Sequence, residues 1–187
     1  MKKTIIPSLL LMILMACNAK SQEDKMKELI AANKADVDFD LGSTPANFSA
    51  KTIDGKAFNS VDNKGKYWVV FVYPTNYLTK SESYDMEAEL NETHKLFGDK
   101  FPMIGIVTGL SDDEKATKKL FDASKIEFKQ IDNTEGPDKE KSIKENIFCT
   151  PAKIIINPEG KVIYNGCGGK TKTLDYKLDS LIKADKL

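Results

Sequence analysis

The chain has no arginine: every one of its basic residues is a lysine, among 28 basic and 28 acidic side chains. That excludes any mechanism in which a guanidinium fork grips an oxyanion or a peroxide. With formal charge balanced and the lysines scattered, nothing points to a nucleic-acid partner. There is one histidine, His94, and one tryptophan. Long apolar runs are absent as well. The longest, from Ile5 to Met15, covers about eleven residues, whereas spanning a membrane takes about 20. Cysteine is scarce: Cys17, Cys149 and Cys167 are the only thiols.

What is present begins with an address. Lys2 and Lys3 precede the short apolar run, and Leu14-Met15-Ala16-Cys17 closes it. This resembles the lipobox of bacterial lipoproteins, in which the cysteine is acylated and becomes the new N-terminus. The resemblance implies a signal peptide over 1–16, lipidation at Cys17, and attachment to a bacterial envelope membrane through acyl chains. The expected place is the outer membrane or a periplasm-facing surface. Removal of Lys2 and Lys3 leaves the mature chain slightly acidic. Residues 17–40 are polar and charged, and read as a tether with a short helix near Met26, Leu29 and Ile30. One ordinary domain is expected over 41–187.

Within that domain the pattern is α/β. A small hairpin is expected around Asp54-Gly55-Lys56. Residues 68–73 form a continuous β-rich apolar run, as in a strand covered on both faces. Met86, Leu90, Thr93 and Phe97 fall on one stripe of a helix expected over 83–97. A strand over 103–107 follows, then the capping box Ser111-Asp112-Asp113-Glu114 and a helix to Ser124. Next come a short strand over 128–131 and a short helix over 138–146. Strands at 153–156 and 161–164 flank Asn157-Pro158-Glu159-Gly160, and Leu174, Leu178, Leu181 and Ile182 line a closing helix. Parallel strands with helical crossovers, ending in an antiparallel hairpin and a helix, predict a sandwich with a mixed central sheet and helices on both faces.

Several local motifs carry a family resemblance. Gly42-Ser43-Thr44-Pro45-Ala46-Asn47-Phe48, Asp54-Gly55-Lys56 and Gly65-Lys66 precede the first long strand, and Thr150-Pro151 precedes Lys153 to Asn157. Their order resembles the thioredoxin-like redoxins, the alkyl hydroperoxide reductase and thiol-specific antioxidant proteins together with the membrane-anchored thiol–disulfide oxidoreductases. The resemblance implies that Pro151 is a cis-proline beside the active site, and that a reactive cysteine stands between Pro74 and the following helix. No cysteine is there. One register puts Ser81 at the peroxidatic position, with Leu78 for the family threonine; the other puts Lys80 and Ser83 at the paired cysteines. A serine hydroxyl stays protonated and forms no disulfide, and His94, some three turns along the helix, is too far to activate it.

The remaining cysteines are Cys149 and Cys167, in a compartment that permits disulfides. With a Gly160 bulge, Cys167 falls opposite Pro151; a neighbouring register puts it opposite Thr150 or Cys149. The pair reads as a structural disulfide, as a relocated redox pair, or as two free thiols with affinity for a soft ion. Neither a cofactor nor a resident metal is expected. Tyr73, Tyr77 and Tyr84 are candidates for an aromatic surface near the loop. Two functions stay open: thiol–disulfide exchange with an envelope protein or thiol substrate, and a non-catalytic binding or assembly module.

Overall fold

The computed structural model describes residues 21–32, 37–78, 85–109, 114–133, 143 and 145–185. The chain divides into two compact units, Met1–Lys34 and Ala35–Leu187. Of the first, the described part is a helix, α1 (Gln22–Ala32), opened by Ser21, whose hydroxyl accepts the Asp24 N–H. No helix among the described residues is long and apolar enough to cross a membrane.

The second unit is built on a five-stranded mixed sheet. Its strands are β4 (Trp68–Pro74), β5 (Met103–Thr108), β6 (Lys129–Asp132), β8 (Ala152–Ile156) and β9 (Val162–Cys167), in the order β6-β5-β4-β8-β9. β4 pairs parallel with β5 and antiparallel with β8. Being central, β4 must be apolar on both faces, and its alternation assigns each side chain. Val69, Phe71 and Tyr73 enter one core cluster, while Trp68, Val70 and Val72 enter the other. Each such fully buried side chain contributes about 1.5–3 kcal/mol.

The first cluster is roofed by α2 (Met86–Phe97), α3 (Glu114–Ala123) and α4 (Lys172–Asp185), through Met86, Leu90, Phe121, Leu174 and Leu178. The stripe read from sequence on α2 is the buried one, although the helix starts at Met86, where the Asp85 carboxylate accepts the Ala88 N–H. Among the described residues the other face is covered without an α-helix. Its cover is the hairpin β2 (Ser49–Lys51) and β3 (Ala57–Asn59), with Phe39, Phe48, Phe58 and Ile143. Phe48, Phe58 and Trp68 pack ring on ring there at 5.6–6.4 Å.

Two expectations are corrected. Residues 145–146 are not helical: β7 (Glu145–Asn146) pairs parallel with β1 (Val37–Asp38). That pairing buries Val37 and Phe39, so the compact unit begins upstream of Leu41, inside the stretch read as tether. The segment 37–43 also lies along β9. The Gly42 N–H donates to Val162 O, the Val162 N–H donates to Ser43 O, and Asn165 Nδ2 donates to Phe39 O, each at 2.9 Å. Cys17, Lys80, Ser81, Ser83, Tyr84, the residues 111–113 of the capping box, and 138–142 lie outside the described residues.

Candidate active site at the cis-proline end of the sheet

The chain enters β8 through Phe148-Cys149-Thr150-Pro151, and the Thr150–Pro151 bond is cis, as expected. Gly168, just past β9, donates its N–H to Pro151 O at 2.9 Å, which ties the two strand ends together. Cys149 and Cys167 form a disulfide, with Cα atoms 5.8 Å apart, within the range such a bond requires. Of the three readings of these cysteines, two free thiols is therefore set aside. The register also differs from the one derived from the turn. Ile156 pairs with Val162, but Ile155 pairs with Tyr164, so Ile163 is an extra residue and Cys167 stands opposite Ala152. Cys149 reaches it because it precedes the strand and is not itself part of the ladder.

Alternation along β8 decides which side of the sheet each group serves. Ala152, Ile154 and Ile156 belong to the strand-covered cluster, whereas Ile155 belongs to the helix-covered one. Cys167, opposite Ala152, is thereby registered with the strand-covered face, and Pro151 and Lys153 share the parity of Ile155. The disulfide is superficial: Cys149 is half-buried, Cys167 is exposed, and the neighbouring Phe148 is 83% exposed.

Lys153 is the residue that the sequence reading passed over. It interrupts an otherwise apolar strand and is only 2% exposed. A lysine buried so deeply needs acceptors. Its Nζ donates to Cys167 O at 2.9 Å and also to Gly168 O. Burial pushes its pKa down, and the carboxylates of Glu89 on α2 and Asp175 on α4 oppose that shift. Burial pushes Glu89 up, but hydrogen bonds from Lys170 Nζ (2.7 Å) and the Thr171 N–H (3.2 Å) outweigh it and hold its pKa low. Asp175 is raised by burial, against hydrogen bonds donated by Thr93 Oγ1 (2.8 Å) and Thr171 Oγ1 (3.4 Å). Burial and the Asp175 charge also raise the Tyr164 phenol. A charged strand residue two positions after a proline and directly before three isoleucines was the sequence signal for this cluster.

Tyr73 is not part of an aromatic surface. It is 1% exposed, and its hydroxyl donates to Gln130 Oε1 at 2.8 Å in the core. His94 is partly buried at the edge of α2, against the Phe128 ring at 5.6 Å. A cleft of about 300 Å³ between Phe48, Trp68 and Pro158 lies at the opposite end of β4 from the disulfide.

A family model for AhpC/TSA proteins matches residues 41–165. The chain belongs to the AhpC/TSA family. No curated protein matches it. Among solved structures, this AhpC/TSA protein is similar to the thioredoxin domain of a thiol-disulfide oxidoreductase from Bacteroides vulgatus. Identity is 20% and the TM-score 0.53, over 76% of this chain and 97% of that one. A thiol-disulfide oxidoreductase from Bacteroides fragilis matches at 21% identity and TM-score 0.56, over 74% and 99%. The pneumococcal exposed lipoprotein thioredoxin from Streptococcus pneumoniae matches at 17% identity and TM-score 0.54, over 73% and 100%. At these identities the likeness is one of fold: a thioredoxin-like α/β architecture. The AhpC/TSA fold is thus in place, while its only cysteines besides Cys17 stand at the cis-proline end of the hairpin.

Proposed function

We propose that this AhpC/TSA protein is a lipid-anchored redoxin of the bacterial cell envelope that exchanges disulfides through Cys149 and Cys167. One observation carries the reading: a bonded cysteine pair, one of its residues exposed, at the cis-proline turn, in a chain with no cysteine between Pro74 and α2. Only sulfur can do this chemistry, so any exchange runs through that bond. Ser81 and Ser83 then mark the degenerate family loop and carry no electrons. The lipobox-like Leu14-Met15-Ala16-Cys17 supports the anchor, and one structural neighbour is itself described as an exposed lipoprotein thioredoxin.

A second reading is favoured by the register. Cys167 is aligned with the strand-covered face and not with α2, which suits a staple on a non-catalytic binding module. Equilibration with a dithiol buffer separates the two. A potential near about −200 mV supports exchange, and resistance below about −300 mV supports the staple. For the anchor, radiolabelled palmitate should enter the protein and be lost with Cys17→Ser; label retained in that variant would overturn the localisation.

A further inference from the structure

We propose that Lys153 is a positioning residue for this exchange, its buried ammonium favouring negative charge on the Cys167 sulfur, so that Cys167, selected for first attack by its exposure, is the sulfur that leaves the mixed disulfide and the attacking thiolate of the reduced protein. The inference rests on the reading of Cys149–Cys167 as an exchanging bond. Exposure and charge converge on the same cysteine. Cys167 is the more exposed of the pair, and Lys153 Nζ is hydrogen-bonded to the carbonyl of Cys167 itself and to that of the next residue. No other charged side chain is described as bonded to the backbone of either cysteine.

The reaction balances without a further reagent when the partner is a dithiol. A substrate thiolate attacks Cys167 Sγ, the Cys149–Cys167 bond breaks, and its electron pair goes to Cys149 Sγ. The second substrate thiolate then attacks the substrate sulfur of the mixed disulfide, and Cys167 Sγ leaves with the electron pair. The substrate dithiol becomes a disulfide, the protein disulfide becomes two thiols, and the two substrate protons end on them. A leaving thiolate of lower pKa leaves faster, so a cation held at Cys167 promotes the second step. Read in reverse, the same cation makes Cys167 the attacking thiolate.

The groups facing Lys153 set how strongly it acts. Burial works against its charge, Glu89 from α2 and Asp175 from α4 favour it, and the Tyr164 phenol of β9 feels the same Asp175. Lys170 and Thr171 are engaged with Glu89, and Thr93 with Asp175. Removing the Glu89 charge should therefore weaken the ammonium, whereas removing Lys153 should abolish its effect.

The test uses the full chain with Cys149→Ser. Iodoacetamide labelling of the Cys167 peptide is followed by mass spectrometry against pH. The labelling midpoint is expected below the ordinary cysteine value of about 8.5, and Lys153→Met should raise it by about one pH unit, slowing labelling at pH 7 about tenfold. Lys153→Gln, whose amide can still donate to the Cys167 and Gly168 carbonyls but carries no charge, should raise it likewise, and this variant keeps the test open if Lys153→Met fails to fold. Midpoints unchanged in both variants overturn the inference; if the wild-type bond still exchanges with a dithiol, the proposed function stands without it. A wild-type bond that resists the dithiol overturns the exchange reading and the role of Lys153 together.

Discussion

Removing the Cys149–Cys167 bond should cost about 3 kcal/mol of folding stability. The two cysteines are 18 residues apart in the chain. The loop-closure expression for a cross-link of that length gives an entropy near −10.7 cal/mol/K, which is about 3 kcal/mol at 25 °C. For a domain of this size that is roughly 6–12 °C in Tm. The perturbation is Cys149→Ser with Cys167→Ser, compared with the oxidised wild type by urea unfolding and calorimetry. The m-value should rise, because an uncrosslinked unfolded chain exposes more surface. Thermodynamic reciprocity adds a second readout. If the bond stabilises the fold by about 3 kcal/mol, folding stabilises the bond equally, making it about 65 mV harder to reduce than in the unfolded chain. A loss under about 1 kcal/mol with an unchanged m-value would refute the reasoning, since the loop would then already be closed before folding.

Other outcomes follow from the core and from the buried polar groups. An added Cβ at Gly105 would lie 2.5 Å from Tyr73 Oη, which is fixed by Gln130, so Gly105→Ala should cost about 1–3 kcal/mol in chemical denaturation. Tyr73→Phe in the same chain should recover only part of that, because Tyr73 Cζ stays 3.1 Å from the new methyl. Asn133 accepts the Ile143 N–H at 2.6 Å and donates to Ile143 O at 2.8 Å, so Asn133→Ala should cost about 2–3 kcal/mol and speed amide exchange in β1 and β7. Burial raises the Glu145 carboxyl above its ordinary 4.5 despite a hydrogen bond from Asn133. Between 4.5 and that raised value the folded chain holds a proton that the unfolded chain has released, so wild-type stability falls as pH climbs through the window. Glu145→Gln should therefore match the wild type below the window and exceed it above; equal stability at pH 7 would contradict the assignment.

Much of the framework was legible because local pattern and tertiary environment agree. β4 reads as central because six consecutive apolar residues have no polar face to offer water. The Met86-Leu90-Thr93-Phe97 stripe is the buried one because α2 meets the sheet along a single side. What stayed hidden depends on partners distant in sequence. Glu145 and Asn146 have no strand propensity, and pair only because Val37 and Asp38 arrive beside them. The Ile163 bulge moved Cys167 by one position, and nothing in Lys161-Val162-Ile163 distinguishes a bulged isoleucine from a paired one. Lys153 was visible as an oddity, but its acceptors are backbone carbonyls, which no side-chain pattern announces.

The strip of chain from Phe39 to Ser43 along β9 has a consequence for association. An uncovered outer strand invites a second copy to add its own and so begin a growing stack. Here Gly42, Ser43 and the Asn165 side chain already occupy that margin. Among the described residues this covering reaches as far as Asn165, so a neighbouring polypeptide approaching the rim finds its free stretch only where the strand ends in sulfur.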